Sequence, residues 1–345
     1  MEGFFIFIPM SKILIIGRGL AGATLSLQML NQNIEHHIID DPNASASSKI
    51  AAGLINPIVL KRLKLVHEAE LFLSSAIKFY ENNSSLHQYL GTLPLKHVMA
   101  STGEQNDWEV KRGLLPYSHI LGEQAVNTLA HLTAPLGLGV LPKIHRLNTE
   151  AYLDYHKAIY TVSEPILNQN IRHDTLTTLK TQYSKIIICN GHLASSLYPQ
   201  FQSMLSPTRG ELLTIHTKDL PEDTIYHASI FILPLGNQLF KIGATYHWDH
   251  LNDRPTDDAK NQLIKKLEKI FTGSYKITNH QAGVRPTVKD RKPILGKIEQ
   301  GVYSFNGLGS RGALMAPLLA EQLLQFILNN NPLNPLYDIK RFTND

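Results

Sequence analysis

A glycine triplet set directly between a buried strand and a helix leaves a chain few folds to choose from. Here Gly17-Arg18-Gly19-Leu20-Ala21-Gly22 follows the apolar run Ile13-Leu14-Ile15-Ile16. That unbroken β-branched and leucine run reads as a strand covered on both faces. A helix-like stretch from Ala23 to Gln32 comes next, carrying Leu25, Leu27 and Leu30. A second apolar segment, Ile34 to Ile39, then ends in Asp40-Asp41, about twenty residues past the glycines. Strand, turn, helix, strand and acid in this order are the parts of a dinucleotide-binding βαβ unit. Gly17 permits the tight turn, Gly19 lets the backbone approach a pyrophosphate, and Gly22 lets helix and strand pack closely. The amides that open the helix, around Leu20 and Ala21, favour the phosphates through hydrogen bonding and the helix dipole. Asp40 accepts from a ribose diol, with Asp41 as the off-by-one alternative.

The same spacing recurs near the other end, in Gly307-Leu308-Gly309-Ser310-Arg311-Gly312 after Val302-Tyr303-Ser304-Phe305. This copy does not build a second nucleotide unit. One apolar helix follows, read as Ala316 to Leu328 and stopped by Asn329-Asn330-Asn331-Pro332, with no further strand or ribose acid. Pro317 suggests that regular helix begins near it, since proline suits a first turn. The loop is therefore expected to direct its amides, from Gly307 through Gly309, Ser310 and Arg311 to Gly312, towards a group that becomes anionic. A purely structural glycine turn is the competing reading.

At 345 residues and 43% hydrophobic the chain can bury a large core and form two domains. A net charge of +4 without a long basic block gives no support to nucleic-acid binding, although it leaves room for RNA contact. The single cysteine, Cys189, excludes disulfide frameworks and paired-cysteine redox centres within one chain, and its apolar neighbours make it a small core residue. The 16 histidines show no metal-ligand spacing, so no metal is expected. The apolar stretch Met1 to Pro9 is too short to span a bilayer and lacks a basic leader. It reads as a disordered or mis-started tail ahead of a natural start at Met10, and the default location is cytoplasmic.

Along the chain, Ser47, Ser48, Ala52 and Gly53 lie in small-residue segments that allow close approach to a phosphate-bearing ligand or form a flexible loop. His67 to Tyr80 reads as a helix with Leu71, Ala76, Ile77 and Tyr80 on its buried face, and Glu150 to Ile159 as another. The apolar strand Ile186-Ile187-Ile188 ends in Cys189-Asn190-Gly191 and returns the chain to the nucleotide domain. Alternation from Glu211 to Gly283 suggests antiparallel strands interrupted by a helix over Asp257 to Phe271. The expected organisation is an α/β (α+β overall) protein: a discontinuous dinucleotide domain (10–80, 142–208, 284–345) with an interleaved, largely antiparallel substrate domain (81–141, 209–283).

The fingerprint at Gly17 to Gly22, the strand end Cys189-Asn190-Gly191, the turn Pro207-Thr208-Arg209-Gly210-Glu211 and Gly243-Ala244-Thr245 come in a telling order. Ala282-Gly283-Val284-Arg285-Pro286, Asp290, Pro293-Ile294-Leu295-Gly296 and the loop Gly307 to Gly312 complete it. Together they resemble the D-amino-acid oxidase/glycine oxidase superfamily of FAD-dependent oxidoreductases over nearly the whole chain. The C-terminal loop looks closest to the oxidase half of the bifunctional tRNA methylaminomethyl-thiouridine biosynthesis enzyme. The resemblance implies a glutathione-reductase-like flavoprotein of the amino-acid-oxidase type, with non-covalent FAD. It also implies hydride transfer to flavin N5 from a carbon bonded to an amine nitrogen, with oxygen or another acceptor reoxidising the cofactor.

Within it, Arg285 falls where the family keeps the arginine that binds a substrate carboxylate, a two-pronged pairing suited to guanidinium. An ion pair with Asp290 is the bland alternative. Arg311 would bind a substrate anion or tune the flavin. Lys241 resembles the lysine that activates oxygen in sarcosine-type oxidases, or is a surface lysine on an alternating strand. Arg18 departs from the small residue usual at its position, and either adds a charge to the pyrophosphate or lies in solvent. The leading expectation is oxidation of a small amine or amino acid. Two alternatives stand beside it: an aminoalkyl-modified tRNA base as substrate, and an FAD-binding protein without turnover.

Overall fold

The computed structural model describes residues 12–41, 47–162 and 164–342. The expectations for Met1 to Met10 fall outside these. The chain divides into two units, one formed by residues up to Lys49, Thr149–Thr208 and from Arg285 onward, the other by Ile50–Asn148 and Arg209–Val284.

In chain order the first unit contains β1 (Ile13–Ile16), α1 (Leu20–Asn31), β2 (His36–Asp40), α2 (Thr149–Tyr160), β3 (Ile166–Asn168), β4 (Lys185–Ile188), β5 (Ile294–Glu299), β6 (Val302–Asn306) and α3 (Gly312–Asn329). Its six-stranded sheet runs β5-β6-β4-β1-β2-β3. The pairs β4–β6, β1–β4, β1–β2 and β2–β3 are parallel, and only β5 is antiparallel to its neighbour. Ile15 of β1 sits opposite Ile187 on one side and Ile38 on the other. Every residue of β1 is buried, as expected of a strand covered on both faces. Parallel strands put their carboxyl ends on one edge, so the turns that leave β1, β4 and β6 gather there.

α3 begins at Gly312, one turn before the start read from Pro317, which lies inside the helix. Gly312 to Ala320 are buried without exception, and Pro317 O accepts a hydrogen bond from Gln28 Nε2 of α1 at 2.8 Å. Packing against α1 overrides the local preference of proline for a helix start.

The second unit carries a nine-stranded sheet. Its order is Lys276–Arg285, Thr208–His216, Leu239–Gly243, Phe231–Gly236, Ile225–His227, Leu90–Val98, Leu138–Leu147, Leu54–Ile55, with Gln124–Ala125 on Leu138–Leu147. The sheet is largely antiparallel, but Ile225–His227 runs parallel to Leu90–Val98. Residues 50–80 and 142–148 cluster here and not with the nucleotide-type segments to which their sequence was assigned. The reason is pairing: Leu54 sits opposite Arg146, and Leu138–Leu147 forms a long ladder with Leu90–Val98. Pro94 coincides with the register shift in that ladder between Leu93 and Leu95, the place where a strand tolerates a residue with no N–H. One core packs Leu213, Ile215, Phe240 and Ile242 against Leu263, Leu267 and Phe271, at and beyond the helix Asp257–Glu268. The helix Ala69–Asn82 buries Phe72, Ala76 and Tyr80, a stripe at four-residue spacing. Leu71, expected on that face, is exposed. Among the described residues no helix is long and apolar enough to cross a membrane, and no cluster of His, Cys, Asp or Glu is arranged to hold a metal ion.

Candidate functional site

The first glycine turn is built by contacts that exclude any side chain. Gly17 has φ +99°, and a Cβ there would lie 2.7 Å from Asn190 Cα. At Gly22 a Cβ would lie 1.9 Å from Gly17 O, so helix and turn are in direct backbone contact. Gly19 is extended, with φ −72° and ψ −168°; a Cβ on it would come within 3.0 Å of Ser48 Oγ. That oxygen accepts the Leu20 amide at 3.1 Å. Ser48 therefore sits at the N-terminus of α1 with its own hydroxyl hydrogen left for an acceptor such as a phosphate oxygen. No acidic residue stands in the first turn of α1, which keeps its positive end suited to an anion.

Of the two candidate acids, Asp40 faces the turn. Its Oδ1 accepts the Arg18 amide at 3.0 Å, and the side chain is 28% exposed. Burial pushes its proton affinity up, while the Arg18 amide and guanidinium push it down; burial prevails. Asp41 instead receives Asn170 Nδ2 at 2.8 Å. Ser47 opens the short helix Ser47–Ile50 and is half-buried.

Two further glycines stand on the same sheet edge. Gly191 follows β4 with φ +63°, and Gly307 follows β6 with φ +77°. Asn306 ties them together, donating from Nδ2 to Gly191 O at 2.8 Å and accepting the Gly307 amide on Oδ1 at 2.7 Å. At Gly312 a Cβ would come 2.9 Å from Leu20 Cδ1, so the starts of α1 and α3 meet. Sequence reasoning missed Asn306, although an amide side chain immediately before a glycine loop at a strand end was the available signal. The loop's amides are less open than their spacing suggested: Gly309 N donates to Pro286 O and Arg311 N to Leu308 O. An outward-facing role is thus left to fewer of them. Ser310 is exposed.

Arg285 ends its strand half-buried, and Arg311 is half-buried at the N-cap of α3. Asp290 is held by Arg341, with 2.8 Å between Nε and Oδ2. That contact and the Lys292 amide outweigh burial and keep its carboxyl below the usual range. Asp290 is thus engaged by Arg341. Lys241, Ala52 and Gly53 belong to the second unit; Lys241 donates to Ile50 O at 3.1 Å. Arg209 and Glu211, from the Pro207 to Glu211 turn, have a structural role there. Glu211 is fully buried and accepts from Arg209 Nη2, from Thr256 N at 2.9 Å and from Thr256 Oγ1 at 2.9 Å. His280 Nε2 lies 2.8 Å from Oε2, the oxygen that also accepts the Thr256 amide. Cys189 is buried, and burial pushes its thiol far up, so it stays an inert core residue.

The donors and acceptors of the first unit fit the ADP half of FAD. A helix start without acids, a hydroxyl beside it, side-chain-free glycines and a reachable carboxylate are the groups that a pyrophosphate and a ribose require. Asn190 Oδ1, next to Gly191, is a buried acceptor without a hydrogen-bond partner among the described residues, and a ligand donor would satisfy it. Comparison with known proteins agrees. The tRNA 5-methylaminomethyl-2-thiouridine biosynthesis bifunctional protein MnmC of Idiomarina loihiensis is 23% identical over 339 residues, covering 90% of this chain and 54% of that protein. The chain spans about half the length of the first curated relatives it matches. In fold it is similar to glycine oxidase from Bacillus cereus, with a TM-score of 0.76 at 16% identity over 93% of this chain and 96% of that one. It is also similar to the FAD-bound L-α-glycerophosphate oxidase of Mycoplasma pneumoniae, with a TM-score of 0.73 at 15% identity over 95% and 98%. The family described as FAD dependent oxidoreductase matches residues 12–325, a span that takes in both glycine turns, Gly191 and Asp40, and to that family of flavoenzymes this chain belongs.

Proposed function

We propose that this chain oxidises a C–N bond of a small amine or amino acid, with FAD held non-covalently. The observation that carries the reading is the gathering of Gly17, Gly191 and Gly307 with Asp40 in the first unit. The name of the B. cereus relative, glycine oxidase, supports an amino acid as substrate. Bound FAD supplies a hydride acceptor at flavin N5. The Gly17 to Gly22 turn, the first amides of α1 and Ser48 hold the pyrophosphate, and Asp40 holds the adenosine ribose.

Arg285 and Arg311 are the cations offered to a substrate carboxylate, where a two-pronged pairing fixes the neighbouring C–H bond in direction. The substrate carbon would give up a hydride to the bound flavin and the nitrogen a proton to solvent, leaving a C=N bond. Water then adds to that bond and releases a carbonyl compound and an amine. Lys241 is proposed to assist oxygen as the final acceptor. A second reading, an aminoalkyl-modified tRNA base as substrate, is favoured by one observation: the relatives aligned over 90% of this chain or more include tRNA methylaminomethyl-thiouridine biosynthesis proteins.

Anaerobic addition of glycine, D- and L-amino acids, secondary amines and aminoalkyl-modified tRNA to the purified yellow protein tests both readings. Bleaching of the yellow flavin colour by a small amine is expected. Bleaching by the tRNA alone would replace the first reading with the second. A flavin that none of these reduces would overturn both in favour of binding without turnover on these substrates.

A further inference from the structure

Arg18 stands at the second position of the fingerprint, and its side chain turns to Leu153 and Asp40 instead of lying in solvent. Its side chain is 7% exposed. Nη1 donates to Leu153 O of α2 at 2.7 Å, and Nε lies 3.7 Å from Asp40 Oδ2. That spacing is an ion pair and too long for a hydrogen bond; Nε is buried with no hydrogen-bond partner among the described residues. The backbone amide of the same residue binds the other oxygen, Oδ1, at 3.0 Å. One residue thus addresses both oxygens of one carboxylate, from its main chain and its side chain. The neighbouring His156 carries no competing charge, since burial and then Arg18 itself push its pKa down to about 3.

A buried guanidinium is retained only when an ionised partner offsets its desolvation, and here that partner is Asp40. The carboxylate remains partly open, so it serves Arg18 on one side and a ligand on the other. A ribose diol offers two donors, and it gains from an acceptor pair whose orientation is set before binding. We propose that Arg18 is a positioning residue for the cofactor: its guanidinium, tethered to Leu153 O, holds the Asp40 carboxylate in one orientation towards the ribose hydroxyls of FAD. The inference rests on the FAD reading above and adds to it a residue that touches Asp40 and not the flavin.

The charged groups facing Asp40 are Arg18, Lys49 and Asp41, and burial opposes its ionised form. Removing Arg18 deletes a cation from that set, so protonation of Asp40 and loss of the ribose contact begin at higher pH. The test is an FAD titration of the full-length apoprotein, followed by flavin fluorescence, for wild type, R18M, D40N and the double variant across pH 4–8. Circular dichroism and a melting curve confirm that each variant is folded.

R18M is expected to raise the dissociation constant about tenfold, the scale of one charge-assisted contact. Its affinity should fall off at a higher pH than that of wild type. In the D40N background R18M should add almost nothing. Equal losses in both backgrounds would mean that Arg18 acts through another group, and would overturn the inference. Unchanged affinity in R18M would do the same while leaving the FAD reading intact. Wild type that takes up no FAD would overturn the cofactor reading itself, and the inference with it. If R18M does not fold, R18K keeps the charge without Nε; it should lose affinity only when Asp40 is present, and wild-type affinity in R18K would overturn the inference.

Discussion

The two glycine turns share a spacing and little else. In the first, Gly17 is left-handed and Gly19 extended, and α1 begins at Leu20, so the third glycine, Gly22, lies inside the helix against Gly17 O. In the second, Gly307 and Gly309 are both left-handed, at φ +77° and +56°. Helix α3 there starts only at the third glycine, Gly312, which meets Leu20 instead of its own turn. In the first turn backbone crowds backbone, at Gly17 and Gly22, whereas in the second the crowding comes from side chains, Val288 at Gly307 and Leu20 at Gly312, and the Asn306 side chain fastens the loop. One glycine spacing thus encodes two backbones. The element after each turn, a strand with an acid or a lone helix, separates nucleotide binding from loop building.

Substitutions can break that contrast. The largest expected effect is at Gly22, where alanine would place a methyl 1.9 Å from Gly17 O. We expect a loss of about 3 kcal/mol and failure to retain FAD, read by thermal melting and the visible spectrum. Asn306→Ala should come next. It strips a partner from Gly191 O and from the Gly307 amide, a destabilisation of about 2 kcal/mol measured by urea unfolding. Gly309→Ala should cost only about 1 kcal/mol, because a Cβ there meets nothing nearer than Thr287 Oγ1 at 4.0 Å and only its left-handed φ is at stake. If Gly309→Ala proved as damaging as Gly22→Ala, the reading of Gly309 as limited by its φ alone would be wrong.

Much of this was legible. The continuous apolar run of β1, the glycine spacing and the acid after Ile39 predict a βαβ unit because strand burial, turn sterics and helix start are properties of neighbouring residues. The choice between Asp40 and Asp41 was not legible: adjacent side chains on a strand point to opposite faces, and the faces are assigned only when Arg18 and Asn170 are in place. Nor was the membership of residues 50–80, whose brief strand Leu54–Ile55 finds its partner in Arg146 and His145.

The smallest predicted effect sharpens the reading of the first turn through pH. Burial raises the Asp40 pKa in the folded protein. The folded state therefore holds that proton more firmly than the unfolded chain, and its stabilising effect is complete below the ordinary aspartate range and lost as pH rises through the raised value. Apoprotein melts from pH 4 to 7 should show this drift in wild type and not in D40N. D40N should nevertheless bind FAD about tenfold more weakly. A parallel drift in D40N would assign the effect to another group.

Backbone geometry near the fingerprint follows from local sterics, which neighbouring residues carry in full: where a Cβ is impossible, where a strand is covered, where a helix can start. The uses of Arg18, Asn306 and Glu211 depend on groups distant in sequence. Arg18 lies 135 residues from Leu153, Asn306 lies 115 from Gly191 and Glu211 lies 45 from Thr256. A polar side chain has several possible partners until folding removes the water from all but one of them, so its role belongs to the packed structure.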